Sequence, residues 1–209
     1  MDDDPRTVRC AALSATRFAP LGSADELAAL RGAFSRQRAV VLSDFLTDEL
    51  RKMLGRLWRA ATFAPQTLPG LGGRAIETPG RTADALCLML ARPQLYRWLE
   101  GLTGCAPLGG VTGDVAQLAA GSGDGLLWHD DRGEPDRRLA VTVNLGEAPH
   151  EGGVFELRRR ATGEVVFRHA HRTSGEALIF EIAAGLEHRV LPVTGGGPRT
   201  AFAGWFLGA

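Results

Sequence analysis

The sequence predicts a mainly β protein, a barrel or sandwich of short strands backed by helices from its N-terminal part. Three observations carry this. From about residue 110 onward, short apolar runs alternate with Gly-rich turns. Before that point, apolar residues recur at helical spacing in separate stretches. With 209 residues, the chain is long for a minimal domain and short for two, so a single domain over 1–209 is expected.

Residues 1–22 read as a lead-in, 23–109 as mainly helical support with short strands, and 110–209 as the β core. Ser23 or Asp25 can cap a helix running through Glu26-Leu27-Ala28-Ala29-Leu30-Arg31. Arg38-Ala39-Val40-Val41-Leu42 suits a short buried strand. Thr47-Asp48-Glu49 supplies capping chemistry for a second helix, whose Leu50, Met53, Leu54, Leu57 and Trp58 fall at helical spacing. The stretch 65–82 is rich in Gly and Pro, lacks periodicity and reads as a long loop, either a lid or a flexible excursion. A third helix is expected over 93–102, ended by Gly104. Core strands are expected at 115–119, 126–128, 139–145, 154–157, 165–168, 177–182, 189–193 and 200–207.

Acidic and basic residues balance, 24 of each, and they are interspersed. A nucleic-acid binder would show a basic stripe. The run Arg158-Arg159-Arg160 is too short for one and suits a solvated strand end or hairpin. No apolar run approaches the ~20 residues that span a bilayer. Met1-Asp2-Asp3-Asp4-Pro5 lacks the basic-then-apolar pattern of a secretory signal. The cytoplasm is the expected location, with neither nucleic acid nor membrane as partner; oligomeric state is open. Cys10, Cys87 and Cys105 are widely spaced and form no C-x-x-C pair, against a disulfide framework or a thiolate zinc site. They read as small apolar side chains or free thiols.

The histidines are His129, His150, His169, His171 and His188. In a strand, residues i and i+2 share a face, so His129 and Asp131 would project together. An imidazole and a carboxylate are two thirds of the 2-His-1-carboxylate set that binds non-haem iron(II) and leaves positions open. His188, 59 residues further on, is the candidate third ligand. A lone H-x-D arises often by chance, and a hydrogen-bonded His–Asp pair is its ordinary alternative. Trp128, beside His129, and Arg189, beside His188, are candidate substrate contacts. Trp128 is more commonly a rim or core aromatic, and alternation turns Arg189 away from the metal.

The segment from His188-Arg189-Val190-Leu191-Pro192-Val193 through Arg199-Thr200-Ala201-Phe202-Ala203-Gly204-Trp205-Phe206 resembles the last two strands of the Fe(II)/2-oxoglutarate-dependent oxygenases, closest to the prolyl-hydroxylase-like branch. That family's order is H-x-D, then H, then R about ten residues later, then an aromatic pair. Glu151-Gly152-Gly153-Val154-Phe155-Glu156-Leu157 and Gly175-Glu176-Ala177-Leu178-Ile179-Phe180 look like its "GG" strand and its G-D/E-A-L-x-F strand. The likeness spans roughly 36–207, with its specific motifs in 126–206.

The resemblance implies a double-stranded β-helix, a jelly-roll, with Fe(II), 2-oxoglutarate and O2 as cofactors. It assigns His129, Asp131 and His188 to the metal and Arg199 to the distal carboxylate of 2-oxoglutarate. A buried carboxylate requires a permanent cation, and a planar guanidinium meets it in two hydrogen bonds. The reaction implied is hydroxylation of an unactivated C–H bond of a small molecule or peptide, releasing succinate and CO2. Asp131 stands where halogenating relatives carry a small residue. The tyrosine and Ser/Thr that help hold 2-oxoglutarate in relatives are replaced here by Ala120 and Ala201; Gln117 and Asn144 are the candidate substitutes.

Gly163, His169, His171 and Glu176 fit G-x5-H-x-H-x4-E, which resembles the first cupin motif and would make, with His188, a metal enzyme without 2-oxoglutarate. The second cupin motif is missing around His188, and exposed edge-strand histidines are the ordinary alternative. Nucleic-acid demethylases of the oxygenase family carry a second arginine six residues after the first; here that residue is Trp205. A non-catalytic β-helix binding domain would be marked by loss of a ligand.

Overall fold

The computed structural model describes residues 7–134 and 136–209. In chain order it runs β1 (Thr7–Val8), β2 (Ala11–Leu13), β3 (Phe18–Pro20), α1 (Ala24–Gln37), β4 (Ala39–Leu42), α2 (Asp48–Arg59), β5 (Thr62–Leu68), β6 (Gly72–Thr78), α3 (Arg81–Leu90) and α4 (Pro93–Thr103). There follow β7 (Leu108–Leu118), β8 (Gly125–His129), β9 (Arg137–Asn144), β10 (His150–Gly152), β11 (Phe155–Arg159), β12 (Val165–His169), β13 (Ala177–Glu181), β14 (Leu186–Val190), β15 (Val193–Gly196) and β16 (Arg199–Gly208).

One 12-stranded sheet has the order β1-β4-β13-β9-β16-β7-β6-β8-β14-β11-β12, with β5 on β6. Ala140 and Ala203 from the middle of that order line the same cavity as Phe155 and His188 from near its end. The sheet therefore curls onto itself as the jelly-roll core, with the helices outside it, as the sequence predicts.

The curl works because the strands of one wall are buried on both faces. On β9, Leu139, Val141 and Val143 pack into the helix-side core, while Ala140 belongs to the interior core. On β13, Ala177 and Ile179 face the helices, and Leu178 and Phe180 face inward. On β16, Phe202 and Phe206 pack with the helix-side core, leaving Arg199, Ala201, Ala203 and Trp205 to line the cavity. The small alanines leave it open.

The helix starts follow the expected chemistry in part. Ser23 caps α1, its hydroxyl accepting the Glu26 N–H while the Glu26 carboxylate accepts the Ser23 N–H. Thr47 precedes α2 but makes no side-chain cap, and its buried hydroxyl has no partner among the described residues. Gly104 ends α4 in the left-handed region, at φ 73.

The expected loop 65–82 is instead a hairpin and the start of α3. Pro65 lies on β5, which pairs only with β6, and such an edge tolerates a missing N–H. Gly72 and Gly73 serve close packing rather than a turn. A Cβ on Gly72 would lie 2.0 Å from the Gly125 carbonyl oxygen of β8. No Ser, Thr, Asp or Asn occupies the cap of α3, which is Gly80. Glu77 does the work from β6: its buried carboxylate accepts the Thr82 N–H at 3.0 Å and the Ala83 N–H at 3.2 Å. The expected strand 189–193 is split. β14 ends at Val190, and β15 begins at Val193 beyond Pro192, which has no N–H for a ladder. Among the described residues, no helix is long and apolar enough to cross a membrane.

Candidate metal centre

His129 on β8 and His188 on β14 are direct cross-strand partners, with ring centroids 4.1 Å apart. Asp131 lies past the end of β8 with φ 54, in the left-handed region. It reaches the histidines through this turn, not through the strand alternation expected from its spacing. Ligand-type atoms of all three residues lie within 4.8 Å of one another. Asp131 carboxylate oxygens stand 3.5 Å from His129 Nε2 and 3.3 Å from His188 Nε2.

Each of the three is held by a neighbour. The Leu127 carbonyl lies 2.7 Å from His129 Nδ1, which places the proton there and leaves Nε2 as a lone-pair donor. Trp205 donates its indole N–H to Asp131 Oδ2 at 2.8 Å. The Arg137 guanidinium lies over the Trp205 ring at 3.7 Å and donates to the Asp131 carbonyl at 3.2 Å. His188 packs between Phe155 and Phe180, 5.8 and 4.7 Å away by ring centroids. Burial, then the neighbouring His188, lowers the pKa of His129, so the ring is neutral at neutral pH. Burial alone would raise the pKa of Asp131. The two imidazoles and the Trp205 N–H outweigh it and bring the value to about 2.

Arg199 enters the same cavity from β16. It is 7% exposed, and its Nε has no hydrogen-bond partner among the described residues. Nor does any carboxylate among them pair with it. Burial lowers its pKa to about 10, which leaves it a cation at neutral pH. Its stem passes over Gly153, where a Cβ would lie 2.8 Å from Arg199 Cδ. This is a physical reason for that glycine. The cavity holds about 860 Å³ including its open mouth. Two neutral imidazoles and one carboxylate suit a ferrous ion with positions to spare. A buried guanidinium lacking an acid suits the far end of a dicarboxylate.

Four candidate residues lie elsewhere. Gln117 is opposite Thr200 on the helix-facing side of β16, and its amide donates to the Thr200 hydroxyl at 3.1 Å. Asn144 shares a register position with Ala201, but its Oδ1 accepts the Gly146 N–H at 3.2 Å and it does not line the cavity. Trp128 is on the outer face, its ring between the guanidiniums of Arg158 and Arg189 at 4.0 and 4.5 Å. Arg189 donates from Nε to Glu156 at 2.6 Å on that same face. These two brace β8 against β14 and do not touch the cavity. The arginine run is part of that brace: Arg158 and Arg160 pair with Glu187. Trp205, Arg137, Arg74 and Thr142 line the cavity instead. For Thr142 and Trp205, alternation with apolar neighbours on β9 and β16 was the signal available; Arg137, beside Arg138, and Arg74, in a Gly-rich stretch, carried none.

His169, His171 and Glu176 form a second triad, and His188 is not part of it. The four-ligand cupin arrangement is therefore not formed. Nor are these exposed edge histidines: His171 and Glu176 are 3% and 4% exposed. One oxygen, Glu176 Oε1, accepts from His169 Nε2 at 2.7 Å and from His171 Nδ1 at 2.6 Å. His171 Nε2 then lies 2.9 Å from the Thr142 hydroxyl, which reaches the cavity wall. Burial opposes ionisation of Glu176, but the two imidazole hydrogen bonds win and bring its pKa to about 2. Burial dominates at His171 and lowers it to about 4.

Residues 114–207 match the family model described as the 2OG-Fe(II) oxygenase superfamily. No curated protein sequence matches the chain. Among solved structures, a prolyl-4-hydroxylase from Pseudomonas putida is similar at TM-score 0.65 and 22% identity, over 88% of this chain and 99% of that one. A Trichoplax adhaerens prolyl hydroxylase in complex with a hypoxia-inducible-factor peptide is similar at TM-score 0.62 and 17% identity, over 89% and 94%. The epimerase SnoN, solved with Fe3+, alpha-ketoglutarate and nogalamycin RO, is similar at TM-score 0.62 and 14% identity, over 90% and 85%. The β core of this chain is thus similar to the 2OG-Fe(II) oxygenases, a likeness that implies Fe(II), 2-oxoglutarate and O2 as cofactors.

Proposed function

We propose that the protein hydroxylates an unactivated C–H bond of a small molecule or peptide, with 2-oxoglutarate converted to succinate and CO2. One observation carries the reading: a 2-His-1-carboxylate cluster and an acid-free buried arginine share one cavity. When bound, ferrous iron supplies the activation of O2 at the expense of 2-oxoglutarate. His129, Asp131 and His188 would hold the iron, and Arg199 the distal carboxylate of the co-substrate.

The chain's own groups do the rest. The Leu127 carbonyl keeps Nε2 of His129 free of a proton. Trp205 fixes one carboxylate oxygen of Asp131 and leaves the other for the metal. Phe155 and Phe180 fix the plane of His188. Leu118, Leu126, Val190 and the alanines of β16 keep water from the reacting bond. A cytosolic setting suits three free thiols and a ferrous ion.

The test is succinate formation from 2-oxoglutarate with ferrous iron under O2, alongside calorimetric binding of 2-oxoglutarate under nitrogen. Arg199→Ala is expected to raise the apparent KM for 2-oxoglutarate about 100-fold or more, since leaving one partner of a buried pair unmatched costs about 3–5 kcal/mol. An unchanged KM would refute the role of Arg199, and absence of succinate would refute the oxygenase reading.

A further inference from the structure

Arg74, on β6, lines the cavity that holds the metal triad. Its side chain is 13% exposed. Its Nε donates to Gln66 Oε1 at 2.8 Å across the β5–β6 hairpin, which fixes the direction of the guanidinium. Its Nη2 is 3.5 Å from the carboxylate of Asp114, whose side chain is 49% exposed. Its Nη1 has no partner among the described residues, so one edge of the fork remains to be used.

One cation on the cavity wall is only weakly paired. Its charged lining residues are Arg74, Arg137, Arg199 and Asp131. On the reading above, Asp131 and one carboxylate of 2-oxoglutarate meet the two charges of ferrous iron. The other carboxylate meets Arg199. Arg137 has acids of its own, Asp131 at 3.9 Å and Glu134 and Asp136 in the adjoining pocket, which leaves Arg74 with the half-exposed Asp114 as its ion-pair partner. Arg74 is therefore a weakly paired cation on the wall of a largely apolar cavity, where unpaired charge is costly.

We propose that the primary substrate is a small organic monoanion whose carboxylate pairs with Arg74, and whose apolar body lies along Leu118, Leu126 and Val190. The inference rests on the oxygenase reading. A single carboxylate fits the one edge of the Arg74 fork that Gln66 and Asp114 leave open. The planar fork also suits two parallel hydrogen bonds to a carboxylate. Gln66 acts as a positioning residue, since it touches Arg74 and not the cavity.

The experiment titrates the enzyme, loaded with Fe(II) and saturating 2-oxoglutarate under nitrogen, with matched pairs by calorimetry. Suitable probes are N-acetyl-L-leucine against N-acetyl-L-leucinamide, and 3-phenylpropionate against 3-phenylpropionamide. Saturating 2-oxoglutarate keeps the acids off Arg199. The acid of at least one pair is expected to bind about tenfold or more tighter than its amide, as a charge-assisted pair requires. Arg74→Gln should erase that preference, and Arg74→Lys should keep part of it. Amides that bind as well as acids overturn the proposal. So does an Arg74→Gln enzyme that keeps the preference, or an absence of acid binding while 2-oxoglutarate binds normally. If 2-oxoglutarate itself does not bind, the oxygenase reading fails and this proposal falls with it.

Discussion

Two histidine–carboxylate triads stand in this molecule, each of two imidazoles and one acid but in opposite arrangements. At 129, 131 and 188 the acid lies 3.3 and 3.5 Å from the ring nitrogens, in contacts not aligned as hydrogen bonds. Each member is steadied from behind by a different group, Leu127, Trp205 or the two phenylalanines. At 169, 171 and 176 the acid accepts two N–H groups at ordinary hydrogen-bond length, and the rings satisfy it without help. The first triad is an unsatisfied set that, on the proposed reading, an ion would complete. The second is a closed hydrogen-bond network that locks the start of β13 to the end of β12. Residue type alone does not separate the two; the outer partners do.

The largest test of this contrast is metal content. Iron-reconstituted protein is expected to hold one ion per chain by elemental analysis. Asp131→Ala should lose that ion and reduce succinate output to background, while Glu176→Gln should keep it. Two ions per wild-type chain, or loss of iron from Glu176→Gln, would break the comparison.

Stability should show the reverse pattern. Glu176→Ala strands His171, which is 3% exposed, without its acceptor. A loss of about 3 kcal/mol in urea unfolding is expected, the cost of breaking a buried pair. A change below about 1 kcal/mol would mean the network is not closed as described.

Acid sensitivity follows with a definite sign. His171 titrates at about 4 in the fold, against an ordinary 6.5. Between these values the unfolded chain takes up a proton that the native ring refuses, so stability falls as pH drops from 6.5 towards 4. Glu176, at about 2 against an ordinary 4.5, removes further stability as pH falls from 4.5 towards 2. His171→Asn should flatten the upper limb of the urea-midpoint profile. An equally steep profile in that variant assigns the limb to another group.

The smallest effect is expected at Trp205. Trp205→Phe keeps the ring over which Arg137 lies and deletes the N–H to Asp131. Weakening of iron binding by about tenfold is expected, typical for an outer partner of a ligand, with unfolding little changed. An unaltered affinity would place the steadying of Asp131 elsewhere.

Much of the β core was legible because strand alternation and Gly-rich turns are local signals. His129, Asp131, His188 and Arg199 stood out by chemistry and order, and the fold brings all four to one cavity. What the sequence concealed is relational. Asp131 reaches the site through a left-handed turn at a strand end, which spacing cannot reveal. Glycines at 72 and 73 read as loop residues, although they mark where β6 and β8 touch. Glu77 caps a helix from the preceding strand and so escapes a search for local caps. Trp128 sits one residue before His129 yet faces outward, at the register shift of β8 against β14. Gln117 and Asn144 had the right chemistry, but one faces the helices and the other is turned to a backbone N–H.

The head-on pairing of His129 with His188 has a mechanical consequence. The two are 59 residues apart in the chain, so an ion gripped by both ties off a long loop much as a covalent cross-link would. By the chain-entropy relation for such loops, restraining the denatured ensemble in this way is worth about 4 kcal/mol. Chelation should therefore do more than silence chemistry: it should loosen the seam between β8 and β14 and admit deuterium there first.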